Sequence, residues 1–302
     1  MAPRRPDLAA HLGDGASRDA FDATDWAVLL GVSGIFGSAF LWIALALESL
    51  EPGVIAAGRL VLAVGALVWV PRARRRIERS DWVLVGAAGL IGQGVPAYLF
   101  AAAEQHISSA LTGMLVSGVP IVAVLVNIAV TRQRPGSPQV VGLAVGTTGI
   151  VLLTLPDLVG EGGSALGIGL VLLAVVGYGV ANNLYPRVAQ TYGALPVVMW
   201  GQAVSAVVLL PVGLAELGGS EFRVGPVVAL VVLGVVGTGA ARAMLVLLVG
   251  RVGPRRSPVM GYLIPIVALV LGVVFLDERV EAIQLVGVGV ALAGGFLITR
   301  AE

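Results

Sequence analysis

Ten apolar stretches divide this chain, and most of them are long enough to cross a lipid bilayer. They cover residues 26–47, 53–70, 82–103, 109–130, 139–155, 165–185, 194–215, 225–248, 257–276 and 282–299. A helix needs about 20 apolar residues to cross a hydrocarbon core of about 30 Å. Backbone polar groups find no water in lipid, so apolar spans of this length are helices. The alternating strands of about ten residues that build a membrane β-barrel are not seen. We therefore predict an all-α integral membrane protein with ten transmembrane helices.

Composition excludes the soluble alternative. Of the 302 residues, 57% are hydrophobic and only 12% are charged, whereas soluble domains carry about 25% charged residues. A domain of this size has too much surface to hide so much apolar sequence from water. The chain has no cysteine, and all 19 of its basic residues are arginine, which excludes disulfides, thiolate chemistry and a lysine Schiff base.

The first 25 residues are polar and contain five aspartates. A secretory signal would place an apolar run directly behind its positive residues, and no such run is present. We predict that residues 1–25 form a flexible cytoplasmic tail.

The connections between the apolar stretches sort by charge. The tail and every second connection, together with the C-terminus, hold 15 arginines, whereas the opposite side holds two arginines and ten acids. The excess of arginine predicts that the first side faces the cytoplasm. Both termini then lie in the cytoplasm of a multi-pass protein of the cell inner membrane, which requires an even number of spans.

An internal repeat explains a reversal of charge between two similar segments. An offset of 145 residues aligns 89–154 with 234–299 without a gap, so that Pro120 falls on Pro265. Five predicted helices precede the second copy, and an odd number turns that copy upside down. The two similar segments are residues 119–135 and 264–280. Arg132, near the end of the first, would face the cytoplasm, and Glu278, near the end of the second, would face outward. We predict two inverted five-helix repeats, residues 26–155 and 164–300.

Inverted repeats are a recurring architecture of secondary transporters, which bind the substrate near mid-membrane where the repeats meet. We therefore expect alternating access, with the two halves rocking about a mostly apolar central site. Gly142 and Gly146 have the spacing that lets membrane helices approach closely. Pro120 and Pro265, in the paired fourth and ninth helices, are candidate kinks for gating; static kinks are the alternative.

Three segments carry a resemblance to a known family. Residues 37–63, including Arg59, residues 102–125, including Pro120, and residues 248–298, including Pro265 and Glu278, resemble the EamA type of the drug/metabolite transporter superfamily. The resemblance covers nearly everything from about residue 30 onward. It implies export or exchange of small metabolites, often amino acids, across a bacterial inner membrane. The chain differs at Arg242, where the family more often has an aromatic or small residue.

Polar groups inside a bilayer are costly and are functional candidates by default. Arg242 would lie near the cytoplasmic end of its helix, where its side chain either reaches water or binds a substrate carboxylate through its planar guanidinium. Arg59 lies at a similar depth from the outer face and is either structural, bonded to Glu48 or Glu51, or functional.

Other polar and aromatic residues complete the predicted substrate site. Ser38 and Trp42 share one face of the first helix, and Tyr178 and Asn182 do the same on the sixth. Asn182 and Asn183 either cross-link helices or bind substrate, and at most one of them can point at a central ligand. The remaining candidates are Gln93, Tyr98 and Tyr262.

The predicted core holds no acid and no histidine. An intramembrane hydrolase needs a nucleophile and a base, and a metal site needs a ligand cluster, so we expect no catalytic residue, metal or cofactor. Glu48 and Glu104, at predicted outer helix ends, are the remaining candidates for proton coupling, and a solvated rim charge is the alternative for each.

These patterns favour an exporter of amino acids or related zwitterionic or amphipathic metabolites. Its expected partners are a small-molecule substrate and the lipid bilayer, without nucleic acid, and a homo-oligomer stays open. Two other classes also stay open: an integral-membrane enzyme and a non-transporting membrane scaffold or sensor.

Overall fold

A computed structural model describes residues 22–132, 136–159, 164–252 and 260–300 of the chain. Within these ranges the regular structure is helical, and no β-strand is present. The α-helices are α1 Ala23–Leu47, α2 Pro52–Leu67, α3 Trp82–Gly89, α4 Val95–Glu104, α5 Ser109–Leu115, α6 Val119–Thr131, α7 Ser137–Val159, α8 Ala165–Tyr192, α9 Ala194–Ala215, α10 Val224–Val232, α11 Ala241–Val252, α12 Met260–Leu276 and α13 Ala282–Arg300. The predicted tail, residues 1–25, lies outside the described residues except for 22–25.

The helices account for all ten predicted apolar stretches, but not all at full membrane length. Seven helical runs in the described part of the chain are long and apolar enough to cross a membrane. They are Ala23–Leu47, Arg79–Glu104, Ser109–Val126, Ser137–Pro156, Ala165–Tyr192, Ala194–Ala215 and Val224–Val249. Three shorter apolar helices, Pro52–Leu67, Met260–Leu276 and Ala282–Leu297, supplement them. At 1.5 Å per residue, a helix of about 16 residues is roughly 24 Å long. The chain is therefore a multi-pass membrane protein with seven spans of full length in its described residues.

Helix starts follow from local side-chain chemistry. At the start of α1, the Asp22 carboxylate accepts from the Asp25 backbone N–H at 2.7 Å, and the Asp25 carboxylate accepts from the Asp22 N–H at 3.2 Å. This reciprocal capping box satisfies two N–H groups that the helix leaves unpaired. Ser164 caps α8 by accepting from the Gly167 N–H at 3.1 Å. Pro52 stands in the first turn of α2, where the missing N–H costs nothing.

Two π-helical segments interrupt the apolar runs. The segment π1, Leu90–Gly94, joins α3 to α4, and the segment π2, Leu233–Ala240, joins α10 to α11. The 145-residue offset places π1 inside π2 and sets Gln93 opposite Thr238. Both repeats therefore carry the same irregularity with a polar residue at the same position. Such π-bulges are frequent at functional sites.

Helices α7 and α13 cross closely through glycines. Gly294 lies so near α7 that a Cβ atom there would be 2.7 Å from the carbonyl oxygen of Gly142, and a Cβ on Gly149 would be 2.6 Å from the Cα of Ala291. Gly146 faces Gly294, so the two helices run in opposite directions at the crossing. The repeat offset of 145 residues pairs Gly149 with Gly294 and Gly146 with Ala291. The contact of Gly149 with Ala291 is therefore equivalent to the contact of Gly294 with Gly146, which makes the crossing symmetric between the repeats. Small residues permit this approach of helix backbones.

The paired prolines have different local surroundings. Pro120 stands in the first turn of α6, directly after a 3₁₀ turn, Val116–Gly118, that separates α6 from α5. Pro265 stands inside the continuous helix α12. The two repeats therefore differ in helical structure at equivalent positions.

The largest buried cluster lies between helices of both repeats. It joins α1, α2, α4, α5, α7, α8, α10, α12 and α13, and its members include Phe40, Phe100, Leu111, Val171 and Ile264. Apolar side chains also cover much of the outer surface, where Val83, Val224 and Phe275 are exposed. Lipid is as apolar as these side chains, so their exposure is expected in a membrane protein.

Candidate substrate-binding site

An aromatic wall runs through the interior of the helix bundle. Phe36 and Phe40 lie one turn apart on α1, and the Phe40 ring meets Phe100 of α4 edge-on, with 5.6 Å between ring centroids. Phe100 in turn packs against Tyr178 of α8 at 5.7 Å. Rings in these arrangements attract each other beyond the area that they bury. Helices α1, α4 and α8 are thereby joined along one aromatic face.

Arg59 of α2 lies beside this wall. Its side chain is 9% exposed, and its Nε donates a hydrogen bond to Thr238 Oγ1 in π2 at 3.1 Å. The Thr238 hydroxyl donates to the carbonyl of Leu233 at 2.9 Å, so it is held ready to accept from Arg59. No described residue accepts a hydrogen bond from the two terminal nitrogens of Arg59. The planar fork of the guanidinium is therefore unpaired with respect to the described residues.

Arg242 of α11 supplies a second interior cation. Its guanidinium carbon lies 5.4 Å from the centre of the Phe36 ring, the distance of a cation–π contact. It forms no hydrogen bond or ion pair with a described residue. The helix continues ten residues further to Val252, about 15 Å at 1.5 Å per residue, so Arg242 lies further from the end of its helix than the sequence indicated. The side chain covers Phe36, and it interacts electrostatically with Arg59.

Two carboxylates lie at the end of α4 and in the connection between α12 and α13. Both oxygens of Glu104, the last residue of α4, are buried and have no hydrogen-bond partner among the described residues. Glu278 accepts from the backbone N–H groups of Ser109 and Ala110, both at 2.8 Å. It therefore binds the start of α5, where the helix N-terminus favours negative charge. Glu104 interacts electrostatically with Glu278 and with Arg59.

Two buried glutamines lie on the elements that pack at π1. The Gln93 amide nitrogen donates to the Tyr185 hydroxyl of α8, while its amide oxygen has no partner among the described residues. Gln202 of α9 is fully buried, and neither of its amide atoms has such a partner. Buried amides without partners are costly, and they favour water or a ligand beside them.

Ser38 and Trp42 lie together, but not on the face of the aromatic wall. They line a cavity of about 350 Å³ between α1 and α12, with Leu271 and Phe275 on the far side. Phe275 is exposed, so this cavity opens toward the surface that lipid covers. The Ser38 hydroxyl donates to the Ile35 carbonyl of its own helix at 2.9 Å.

The two adjacent asparagines of α8 point in different directions. Asn182 is exposed. The Asn183 amide donates to the carbonyl of Ala123 in α6 at 3.3 Å and to that of Gly179 at 2.9 Å. Asn183 therefore joins two helices, and the interior contains neither a free Asn182 nor a free Asn183 side chain.

The remaining predicted residues are distributed along the bundle. Tyr98 lies beside the Glu216 carboxylate, and Glu216 accepts from the Gly53 N–H at 2.6 Å at the start of α2. Tyr262 stacks edge-on with Phe296 at 6.3 Å. Glu48 is exposed at the end of α1.

Several residues of the interior were not singled out by the sequence. They are Phe36, Phe40 and Phe100 of the wall, Thr238 of π2, and Glu278 as the cap of α5. Two signals were available: the spacing of Phe36 and Phe40 by one helical turn, and the repeat offset that sets Thr238 opposite Gln93. Arg59 bonds to Thr238 rather than to Glu48 or Glu51.

A solved crystal structure shares the fold. It covers 93% of this chain and 98% of its own, with a TM-score of 0.62 and 18% sequence identity. Curated relatives match over most of their length as well. A "probable terminal-alkyne amino-acid exporter" of Streptantibioticus cattleyicolor is 28% identical, over 91% of this chain and 93% of the relative. An uncharacterized transporter of Archaeoglobus fulgidus is 24% identical, over 91% of this chain and 98% of the relative.

The model of the EamA-like transporter family matches the chain twice, at residues 25–155 and 165–300. Together the two matches cover nearly all of the sequence behind the tail. The chain belongs to the EamA-like transporter family.

Proposed function

We propose that this protein exports a small carboxylate-bearing metabolite, an amino acid or a related zwitterionic or amphipathic compound, across the bacterial inner membrane by alternating access. The chain would cross the membrane ten times as two inverted five-helix repeats, with both termini in the cytoplasm. Two relatives support an exporter by name: that of Streptantibioticus cattleyicolor, and a "probable amino-acid metabolite efflux pump" of Escherichia coli that is 24% identical over 90% of this chain and 94% of its own.

The observation that carries the proposal is the pair of interior guanidiniums. Arg59 and Arg242 interact electrostatically, and neither forms an ion pair with a described acid. Two like charges in a medium of low dielectric repel each other strongly. A substrate carboxylate between them would relieve that repulsion and fill the free fork of Arg59 bidentately. The aromatic wall beside them suits an apolar substrate body.

The crossing of α7 and α13 supports the inverted arrangement. Its contacts run antiparallel and are exchanged by the repeat offset, as a twofold relation between the halves requires. In such transporters the substrate site lies where the repeats meet. The Arg59–Thr238 bond joins α2 of the first repeat to π2 of the second, so the site spans both halves.

An export assay in an exporter-deficient bacterial strain tests the proposal. Cells that produce the protein are loaded with labelled amino acids, and efflux is compared with that of the variants Arg59→Gln and Arg242→Gln. We expect the wild type to release at least one of these compounds and both variants to lose more than tenfold in rate. Arg223→Gln is the matched control, because Arg223 pairs with Glu221 at 2.5 Å on the exposed surface. A wild type that exports nothing from a broad panel would contradict the proposal.

Topology reporters test the inverted repeats separately. One reporter is fused behind residue 157 and another behind residue 279. Both should report the outer side, since each follows an odd number of proposed spans. A cytoplasmic signal from either fusion would remove the twofold arrangement and with it the basis for rocking halves.

A further inference from the structure

Glu104 carries a buried carboxylate that the described part of the chain leaves unsatisfied. Neither of its oxygens accepts a hydrogen bond from a described residue, and its neighbours Ala101 and Ala103 are fully buried. An ionised carboxylate in such surroundings is strongly unfavourable unless a cation or a proton neutralises it. Whenever the bundle closes around Glu104, as in this structure, a positive charge must be supplied.

The charged groups around Glu104 do not supply it. Arg59 of α2 is within electrostatic range, but no ion pair joins the two, and its Nε is bonded to Thr238. Glu278, from the connection between α12 and α13, adds a negative charge, and its own oxygens are occupied by two N–H groups. Tyr178 of α8 is a neutral phenol near Arg59, and His106, on the following turn, is exposed.

Arg59 and Glu104 carry opposite charges and lie within electrostatic range of each other. No described residue accepts a hydrogen bond from the terminal nitrogens of Arg59, and neither oxygen of Glu104 has a partner among the described residues. A zwitterion can bind both groups, because its carboxylate pairs with a guanidinium and its ammonium pairs with a carboxylate through charge-assisted hydrogen bonds.

We propose that Glu104 binds the ammonium group of the substrate and exchanges it for a proton from the outer solution. The inference rests on the proposed function and adds the source of energy for export. With the site open to the cytoplasm, the substrate ammonium displaces the proton from Glu104 while the carboxylate binds Arg59. With the site open to the outside, water delivers a proton to Glu104 and the substrate leaves. One proton then enters for each substrate exported, and no covalent bond other than O–H forms or breaks.

A binding experiment with purified protein tests the role of Glu104. The probes are L-leucine and L-phenylalanine, each with its desamino analogue, 4-methylpentanoate or 3-phenylpropanoate. For the wild type we expect at least one amino acid to bind roughly tenfold or more tightly than its analogue, the factor that one charge-assisted contact supplies. The affinity for that amino acid should fall as the pH is lowered, because protons compete for Glu104.

The variant Glu104→Gln keeps the shape and removes the charge. It should bind each amino acid and its analogue within a factor of two, without pH dependence, and Glu104→Asp should restore the preference in part. Since Glu104 has no hydrogen-bond partner to lose among the residues that the structure describes, Glu104→Gln should unfold at the same or a higher temperature than the wild type, and this measurement checks that the variant is folded. Glu281→Gln, at an exposed acid outside the proposed site, should match the wild type throughout.

Each outcome decides the inference. A preference for the amino group and a pH dependence that persist in Glu104→Gln would overturn it, and so would a wild type that binds no amino acid or does not distinguish it from its analogue. If the wild type still exports metabolites in cells, those results leave the proposed function standing. Failure of export by the wild type, in contrast, removes the proposed function itself.

Discussion

The Nε of Arg59 donates to Thr238 Oγ1 at 3.1 Å and thereby links α2 to the π-helical segment of the other repeat. Thr238 occupies the position that Gln93 holds in π1, and Gln93 likewise bonds across helices, to Tyr185. Each irregular segment therefore uses its one equivalent polar residue to contact a neighbouring helix. In π2 that contact orients the buried cation of the proposed site.

Thr238→Val should weaken substrate binding without abolishing the site. The change removes the oxygen that fixes Arg59, and a hydrogen bond to a charged group contributes about 1.5–3 kcal/mol, so we expect the apparent affinity to fall roughly tenfold or more. Thr148→Val is the control, because the Thr148 hydroxyl is exposed and bonds only to Ala144 of its own helix at 2.9 Å. Equal transport kinetics for wild type and Thr238→Val would show that Arg59 needs no such support.

The adjacent asparagines offer a matched pair of substitutions. Asn183→Ala removes the bond to the Ala123 carbonyl and should lower the unfolding temperature, because hydrogen bonds between membrane helices contribute about 0.6 kcal/mol each. Asn182→Ala, at an exposed position, should leave both stability and export unchanged. Thermal unfolding in detergent measures the first effect, and loss of export in Asn182→Ala would return that residue to the substrate site.

Glu278→Ala should destabilise the start of α5. The carboxylate accepts from two N–H groups there, and removal of a helix N-cap costs about 1 kcal/mol. The expected result is a lower unfolding temperature, because the variant loses the hydrogen bonds between α5 and the connection that follows α12. Glu281→Ala removes an exposed carboxylate three residues away and should behave as the wild type; a similar loss in both variants would point to surface charge instead of the cap.

The glycine crossing should not tolerate larger side chains. Gly149→Val would drive a side chain into the backbone of Ala291, and overpacking of a filled interface costs about 1–3 kcal/mol or more. We expect little folded protein on size-exclusion chromatography. Gly289→Val is the control, since no atom of another described element lies within 4 Å of a Cβ added there. Normal yields of Gly149→Val would mean that α7 and α13 are not closely packed in the membrane.

Much of the architecture is predictable from local sequence. All ten predicted stretches contain helices, and the end of α1 falls at the predicted residue 47, whereas α2 ends at Leu67, three residues before the predicted end. The sequence underestimates the length of the helix that contains Arg242. Arg251 interrupts the apolar run, although the helix continues to Val252. The π-segments were not predicted either, since their glycine pattern is equally compatible with a regular helix.

Hydrophobicity and length are properties of each segment alone, so the sequence by itself determined that this chain is a helical membrane protein with a repeated half. Which side chains meet in the interior was decided only by the tertiary structure. Helix α1 is apolar on every side, so its sequence offers no amphipathic stripe to set its rotation. Packing against α4 and α12 turns Phe36 and Phe40 inward and leaves Ser38 and Trp42 in the groove beside α12. The hydrogen bond of Arg59 to Thr238 likewise depends on two elements far apart in sequence, α2 and π2, whose mutual rotation no local pattern records.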